Sequence, residues 1–205
     1  MSRLKVLLVG ATGTIGLAVG ELLSRDHEVV RIARKAGDVR MDASSTASIR
    51  GMYERVGAFD ALVSTMGSGV VGAFETLSDD AFLDGFRLKT LAQINLVRLG
   101  TKTIRANGSF TLSSGYLSKE PRPNYAAVSV ANGAVDSFCR AVALEMVNGV
   151  RVNCVSPVFV IESLQAHGMT DFTGYDTQSA ALTALAYRRA VTGNFTGQDL
   201  DPRVE

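Results

Sequence analysis

The segment GATGTIG, residues 10–16, constrains the fold most, because it joins a short apolar run to a segment with helical spacing. The preceding residues 4–9 read LKVLLV, which is typical of a strand buried on both faces. Gly10 permits a sharp turn, Gly13 lets the backbone approach phosphate oxygens, and Gly16 permits close packing of helix on strand. The segment therefore predicts a phosphate site at a helix N-terminus, although a glycine turn can also merely connect two elements.

The rest of the chain alternates short apolar segments with longer amphipathic ones. Further strands are predicted at residues 28–33, 38–41, 60–64, 108–113, 150–155 and 194–200. Helices are predicted at residues 15–24, 45–56, 77–105 with a break near Gly85, 124–146 and 179–191. Strands that alternate with helices pair in parallel through right-handed crossovers. We therefore expect one domain over residues 1–205, an α/β doubly wound parallel sheet of about seven strands with helices on both faces.

Composition limits the classes of function. The 21 basic and 20 acidic residues give a net charge of +1, which provides no argument for binding nucleic acid or an anionic membrane. No apolar run reaches the roughly 18 residues of a membrane span, and Met1–Gly10 has too short an apolar run for a signal peptide. Cys139 and Cys154 lack metal-ligand spacing and fit free thiols in a reducing cytoplasm. With His27 and His167 as the only histidines, a histidine-rich metal site is excluded.

The segment RIARKAGD, at the end of the second predicted strand, bears on the choice of cofactor. An acidic residue there would accept hydrogen bonds from the adenosine ribose. Arg34 stands there instead, and a guanidinium suits a 2′-phosphate, which favours NADP over NAD. A solvated basic loop is the alternative. Asp42 is a candidate for binding the adenine amino group, or for capping the helix that begins near Ser45.

Several short motifs follow one another in a characteristic order. They are GATGTIG, Asp42 after the third strand, STMG at residues 64–67, Asn95 within QINLV, SSG at residues 113–115, Tyr125, VNCVSP at residues 152–157 and TGQDLD at residues 196–201. In this ordered set the chain resembles the short-chain dehydrogenase/reductase family over essentially its whole length. The resemblance implies a Rossmann fold.

The resemblance also implies a set of site residues. Ser114 matches the serine that orients a substrate carbonyl, Tyr125 matches the acid/base tyrosine, and Asn95 matches the asparagine that holds a water in the proton relay. It implies NADP as the cofactor and no metal. The residues expected at the cofactor are Gly10, Thr12, Gly13, Thr14, Ile15, Gly16, Arg34, Asp42, Ala43, Ser64, Gly67 and Val160.

The match fails at one position of the catalytic set. The family has a lysine four residues after its tyrosine, which lowers the pKa of the tyrosine and donates to the nicotinamide ribose. Here that position is Ser129, which brings no charge. An unperturbed tyrosine titrates near pH ~10, so Tyr125 is expected to be a weaker acid than the family's tyrosine. Lys119 and Arg122 could supply charge from the preceding loop, or could be solvated. Glu162 is expected to point away from the pyrophosphate, which would repel it.

Each candidate catalytic residue also has a structural interpretation. Ser114 could close a turn at the end of a strand, Asn95 could bond to backbone where a helix bends, and Tyr125 could be a packing residue. Their joint occurrence at strand ends favours a site.

The predicted function is that of a cytoplasmic NADP(H)-dependent oxidoreductase that reduces a small carbonyl substrate, with Tyr125 as proton donor. The alternative is a catalytically degenerate NADP(H)-binding protein that acts as a sensor or interaction module. A nucleotide-sugar epimerase fits poorly, because the chain is too short for a separate substrate domain. The resemblance also implies a homodimer or homotetramer through the helices at residues 77–105 and 124–146. Residues 162–177 are expected to form much of the substrate pocket.

Overall fold

The computed structural model describes residues 3–67 and 69–204, and a seven-stranded parallel sheet forms its centre. The strands are β1 (Lys5–Val9), β2 (Glu28–Ala33), β3 (Val39–Arg40), β4 (Phe59–Ser64), β5 (Ile104–Ser113), β6 (Arg151–Val155), β7 (Phe159–Val160), β8 (Thr177–Gln178) and β9 (Asp199–Leu200). The sheet order is β3-β2-β1-β4-β5-β6-β9, and β7 pairs with β8 in a separate two-stranded sheet. This is the predicted doubly wound α/β fold, in which the strand order reverses between β1 and β4.

Helices cover both faces of the sheet. They are α1 (Thr14–Leu23), α2 (Thr46–Val56), α3 (Asp79–Gly85), α4 (Ala92–Gly100), α5 (Ala126–Ala143), α6 (Ile161–Ala166) and α7 (Ala180–Thr192). A π-helical segment, Phe86–Leu91, joins α3 to α4, and short 3₁₀ turns occur at Phe74–Thr76 and Tyr116–Ser118. Within the described residues, no helix combines the length and the apolar character that a membrane span needs.

The two-residue period of β1 divides the core between the two faces of the sheet. Leu7 and Val9 pack into a cluster with residues of α2, α4 and α5, whereas Val6 and Leu8 pack with residues of α1 and α7. All four side chains are at most 1% exposed. Burial of one such aliphatic side chain is worth about 1.5–3 kcal/mol, so both helical layers are anchored on this strand.

The structure corrects the predicted bounds of several elements. The helix predicted at residues 77–105 is wrong beyond Gly100, because Ile104 already pairs with Phe59 of β4. It is also three segments rather than one helix with a single break. The strand predicted at residues 194–200 is confined to Asp199–Leu200. The preceding residues are held instead by the side chain of Asn153, whose amide donates to the carbonyl of Phe195.

Residues 157–178 also differ from the prediction. The sequence indicated a loop over residues 168–177 and no regular structure just before it. The chain instead forms β7 and α6 before that loop and β8 at its end, and β7 and β8 pair in parallel. Two-residue strands carry too little periodicity to be recognised in a sequence. The helix predicted at residues 124–146 is shorter at both ends, spanning Ala126–Ala143.

Candidate functional site

A crevice of about 460 Å³ lies at the carboxyl ends of β1, β2 and β4, beside the point where the strand order reverses. Open α/β sheets bind their ligands at such a point. Seven of the residues predicted to bind a cofactor line the crevice: Gly10, Thr12, Gly13, Arg34, Asp42, Ala43 and Gly67. The others lie elsewhere: Thr14, Ile15 and Gly16 form the first turn of α1, Ser64 is fully buried at the end of β4, and Val160 is buried in β7.

The glycine turn at the head of α1 has the geometry that a phosphate group requires. Gly10 adopts a φ of 81°, and a Cβ atom on Gly16 would lie 2.1 Å from the carbonyl oxygen of Gly10. A Cβ atom on Gly13 would meet only that same oxygen, at 3.5 Å, so this position borders open space. Gly13 is the N-cap of α1 and provides no side chain to satisfy the first amide groups of the helix. These groups are therefore free to bind an anion.

Arg34 and Asp42 lie at the other end of the crevice. Arg34 is exposed, and within the described chain no carboxylate lies within 4.0 Å of its guanidinium. Asp42 accepts hydrogen bonds from the hydroxyl and the amide of Ser44, at 2.7 and 2.9 Å. These bonds, with a smaller contribution from Arg34, lower the pKa of Asp42. Ser45, not Asp42, caps α2, because its hydroxyl accepts from the amide of Ser48.

Two consecutive serines lie at the carboxyl edge of the sheet, Ser113 at the end of β5 and Ser114 directly after it. The Oγ of Ser113 donates to the carbonyl oxygen of Ser64 at 2.7 Å and lies 2.5 Å from the hydroxyl of Tyr187. The side-chain amide of Gln93 holds the backbone of Ser113 through two bonds, from Nε2 to its carbonyl at 2.9 Å and to Oε1 from its amide at 2.8 Å. The strand end is therefore fixed on both sides.

Ser114, the predicted carbonyl-orienting serine, is 4% exposed. Its amide donates to the carbonyl of Val155 at 2.8 Å, and its Oγ donates to the carbonyl oxygen of Asn132 on α5 at 3.1 Å. Its own carbonyl accepts a hydrogen bond from Nζ of Lys89 at 2.7 Å. Ser114 is thus tied to the two helices that follow β4 and β5.

Lys89 is a buried lysine that the sequence analysis did not select. It lies in the π-helical segment and is 5% exposed. Its Nζ donates to the carbonyl of Ser114 and to Oδ1 of Asn132. Burial lowers the pKa of Lys89 from an ordinary value of 10.5 to about 8, against the opposing influence of Asp136 and Cys154. A lysine with such a pKa exchanges its proton close to physiological pH.

Asn132, which accepts the hydrogen bond from Lys89, has its side chain packed closely against backbone. Its side chain packs against Gly115, where a Cβ atom would lie 2.6 Å from the amide nitrogen of Asn132. Gly115 has extended backbone, so close packing rather than an unusual φ requires glycine here. Lys89, Ser114 and Asn132 together form one buried polar cluster at the end of β5, which we call the lysine cluster.

Tyr125, the predicted acid/base residue, lies at the N-cap of α5 in a group of aromatic rings. Its ring lies 5.6 Å from that of Phe159, which in turn lies 4.9 Å from Tyr175 and 5.5 Å from Tyr116. Burial, followed by the neighbouring Tyr175, raises the pKa of Tyr125. The guanidinium of Arg122 lies 4.6 Å from the centre of the Tyr175 ring and opposes this shift.

The remaining candidates lie as follows. Asn95 is buried, and its Oδ1 accepts from Nη2 of Arg98 at 2.9 Å on the same helix, so its side-chain oxygen is engaged away from the lysine cluster. The hydroxyl of Ser129 is buried and has no partner within the described chain. Lys119 pairs with Asp199 at 2.7 Å. Glu162 accepts from the amide of Ala180 and so caps α7, which takes it away from the crevice as expected.

One signal in the sequence could have revealed Lys89. One helical face carries four buried residues at helical spacing, which are Gly85, Lys89, Ala92 and Leu96. A lysine on an otherwise small and apolar helix face needs a buried partner. That the partner is Asn132, 43 residues further along the chain, depends on tertiary structure and could not be inferred from spacing.

Comparison with known proteins identifies the family. The profile described as enoyl-(acyl carrier protein) reductase matches residues 15–193. Two curated relatives are the short-chain dehydrogenase/reductase ATR9 of Stachybotrys chlorohalonatus, 31% identical over 103 residues, and versicolorin reductase of Emericella nidulans, 28% identical over 141 residues. The aligned part is 49% and 68% of this chain but only 40% and 52% of those relatives.

Solved structures resemble the chain over nearly its whole length. The protein lin1944 from Listeria innocua is 38% identical, covers 97% of this chain and 99% of its own, and superposes with a TM-score of 0.92. A small-chain dehydrogenase in complex with NADPH is 23% identical, covers 98% of this chain and 96% of its own, and gives a TM-score of 0.83. With this fold, the crevice at its switch point and the profile match, the chain belongs to the short-chain dehydrogenase/reductase family of oxidoreductases, which bind a nicotinamide cofactor.

Proposed function

We propose that this protein is an NADP(H)-dependent oxidoreductase that reduces a small carbonyl compound, with Tyr125 as proton donor. The observation that carries the proposal is the crevice, where a helix N-terminus without a side-chain cap and the guanidinium of Arg34, which has no carboxylate partner among residues 3–67 and 69–204, face the same space. The first suits a pyrophosphate and the second suits a 2′-phosphate. A solved relative of the same fold was crystallised with NADPH.

The residues around the crevice fit this cofactor. Gly13 borders open space in which a side chain would stand, and the amides of the first turn of α1 lack a cap. Arg34 is exposed, and Asp42 keeps its charge because its pKa is lowered. NADPH, when bound, supplies the hydride. Beyond the crevice the carboxyl edge continues to the end of β5, where Ser114 is held rigidly.

The state of Tyr125 favours reduction over oxidation. Burial and Tyr175 raise its pKa, so the phenol remains protonated at neutral pH and can donate a proton to a carbonyl oxygen. Oxidation of an alcohol requires the phenolate, which these surroundings disfavour. In this proposal the tyrosine delivers the proton, and the hydroxyl of Ser114 turns from the carbonyl of Asn132 to donate to the substrate carbonyl.

A second candidate function is NADP(H) binding without turnover, for sensing or interaction. The edge-to-face packing of Tyr125 against Phe159, and of Phe159 against Tyr175, favours it, because these rings occupy space that a substrate would need. The uncharged Ser129 favours it as well. This candidate predicts the same cofactor affinity and no reduction.

One experiment separates the two functions. The purified protein is titrated with NADPH and assayed against a panel of aldehydes, ketones and quinones, beside Tyr125→Phe. We expect micromolar or tighter binding, measurable reduction, and a loss of roughly 10²–10⁴-fold in kcat for the variant. Tyr175→Phe, which removes a phenol from the same aromatic group, is the matched control and should stay within a few-fold.

Binding without turnover would support the second candidate. Turnover that Tyr125→Phe leaves unchanged would refute Tyr125 as proton donor.

A further inference from the structure

We propose that Lys89 is the positive charge of the reaction site, a positioning residue that holds Ser114 and makes the site favour the reduced, uncharged nicotinamide. The inference rests on the proposed function, because it needs NADP(H) in the crevice. The family's lysine would stand at position 129 on α5, where this chain has a serine. In this proposal Lys89, from the π-helical segment after β4, supplies the charge instead.

The geometry places this charge beneath the strand end. Nζ of Lys89 donates to the carbonyl of Ser114 and to Oδ1 of Asn132, and the Oγ of Ser114 donates to the carbonyl of the same asparagine. Each of the three residues therefore contacts the other two. A fully buried ammonium in surroundings of low polarity acts over a longer range than a solvated one.

The strand order indicates which half of a dinucleotide lies near the lysine cluster. The glycine turn and Arg34 bind the adenosine half over β1 and β2, and a dinucleotide crosses the switch point between β1 and β4. The nicotinamide half then lies over β4 and β5, where Ser64 ends β4 and Ser114 directly follows β5. Leu88, the residue before Lys89, lines the crevice from this side.

The charge has two consequences at that position. Hydride transfer to a carbonyl leaves negative charge on the carbonyl oxygen, and a nearby ammonium stabilises this charge before the proton arrives. The oxidised nicotinamide ring carries a positive charge that the reduced ring lacks, so the same ammonium disfavours the oxidised cofactor. Both effects favour reduction.

Two other titratable groups, Asp136 of α5 and Cys154 of β6, lie near enough for their charge to act on Lys89. Hydrogen bonding to Cys139, with burial, holds the pKa of Cys154 far above its ordinary value. Burial alone would lower the pKa of Lys119, but its hydrogen bond to Asp199 and nearby negative charges together raise it. Burial also raises the pKa of Tyr187. The lysine of the cluster is therefore the group expected to titrate in this range.

The test is the ratio of the dissociation constants of NADP⁺ and NADPH between pH 6.5 and 9.5. The ratio removes every contribution that the two forms share, including the 2′-phosphate and Arg34. We expect it to fall roughly tenfold as Lys89 loses its proton. Lys89→Met should give a low ratio independent of pH, and Lys89→Arg, which keeps its charge, a high ratio independent of pH.

Two further variants complete the design. Asn132→Asp adds a negative charge beside the ammonium and should move the fall to higher pH, even if Lys89→Met does not fold. Lys102→Met is the matched control, since Lys102 is exposed just before β5, at the opposite edge of the sheet, and should behave as wild type.

Each outcome decides the question. A ratio that does not change with pH in the wild type, or that falls equally in Lys89→Met, overturns the role of Lys89 and leaves the proposed function intact. A wild type that binds neither form of the cofactor overturns the proposed function, and this inference with it.

Discussion

The ammonium group of Lys89 donates a hydrogen bond to the side-chain oxygen of Asn132 and so joins the segment that follows β4 to the helix that follows β5. Both residues also bond Ser114, the residue directly after β5. Four residues after the lysine, Gln93 binds the backbone of the preceding serine through both ends of its amide. One helical face therefore fixes two consecutive residues at the edge of the sheet where the candidate site lies.

The buried charge should appear in the pH dependence of stability. In the unfolded chain Lys89 titrates near 10.5, but near 8 in the folded protein, so between these values the unfolded state binds more protons. The contribution of Lys89 to the free energy of unfolding therefore rises with pH there, by about 2 kcal/mol between pH 8 and 9.5. The buried thiol of Cys154, whose pKa is raised, acts in the opposite direction in the wild type and in Lys89→Met alike. Urea denaturation of both proteins should therefore show a difference in stability that changes by this amount with pH, and a difference that stays constant would contradict the assignment.

Gly115→Ala tests the close packing that positions Asn132. The new Cβ atom would lie 2.6 Å from the amide nitrogen of Asn132, so the side chain that accepts from Lys89 must shift. We expect a loss of about 1–3 kcal/mol in the free energy of unfolding, with reduced turnover. Gly133→Ala is the control, because Gly133 lies within α5 and its new Cβ atom would meet only the side chain of Ser118, at 4.0 Å. It should be neutral or stabilising by up to about 1 kcal/mol, and equal effects of the two changes would refute the argument.

Two glycines of the first turn should separate folding from cofactor binding. Gly16→Ala would put a Cβ atom 2.1 Å from the backbone oxygen of Gly10 and should destabilise the fold. Gly13→Ala makes only ordinary contact, at 3.5 Å, and should change the free energy of unfolding by less than about 1 kcal/mol. It should nonetheless weaken NADPH binding at least roughly tenfold, because its methyl group occupies the space beside the phosphate. Calorimetry and titration of both variants check this, and an intact affinity in Gly13→Ala would contradict the phosphate site.

Ser129→Lys should not improve the enzyme. The hydroxyl of Ser129 is buried without a partner in the described chain, so a lysine there would bring a second ammonium to a partly buried position. We expect a loss of at least about 1 kcal/mol in the free energy of unfolding and no gain in turnover. Val130→Lys, one residue further along and 59% exposed, provides the control and should be tolerated. A gain in turnover for Ser129→Lys would mean that the site lacks a charge.

The sequence predicted the sheet well because its strands are short apolar runs between turns. Residues 28–33 form a strand with the predicted bounds, and the glycine turn lies where the phosphate argument placed it. The helix predicted at residues 77–105 overran because apolar periodicity continues through Leu99, and only pairing with β4 shows that Ile104 begins a strand. Periodicity describes a local preference, whereas the end of this helix depends on a neighbouring strand.

The site was less predictable than the fold. The charge was expected four residues after Tyr125, on the same helix, because helical spacing is the only kind of proximity that can be inferred directly from a sequence. Lys89 reaches the site from another helix, through contacts 25 and 43 residues away in the chain. Asn95 fitted its motif, yet its oxygen is held by Arg98. Such partners follow from tertiary packing and not from spacing.

The central claim is that NADP(H) binds in the crevice with its 2′-phosphate at Arg34. The most direct measurement is calorimetric titration of the wild type, Arg34→Ala and Lys35→Ala with NADPH and NADH. Lys35 is the matched control, being the next residue and exposed but not lining the crevice. The account predicts that the wild type prefers NADPH and that Arg34→Ala loses roughly 10-fold or more in affinity for NADPH but little for NADH, with Lys35→Ala close to wild type. Equal losses for both cofactors in Arg34→Ala, or no binding of NADPH to the wild type, would contradict it.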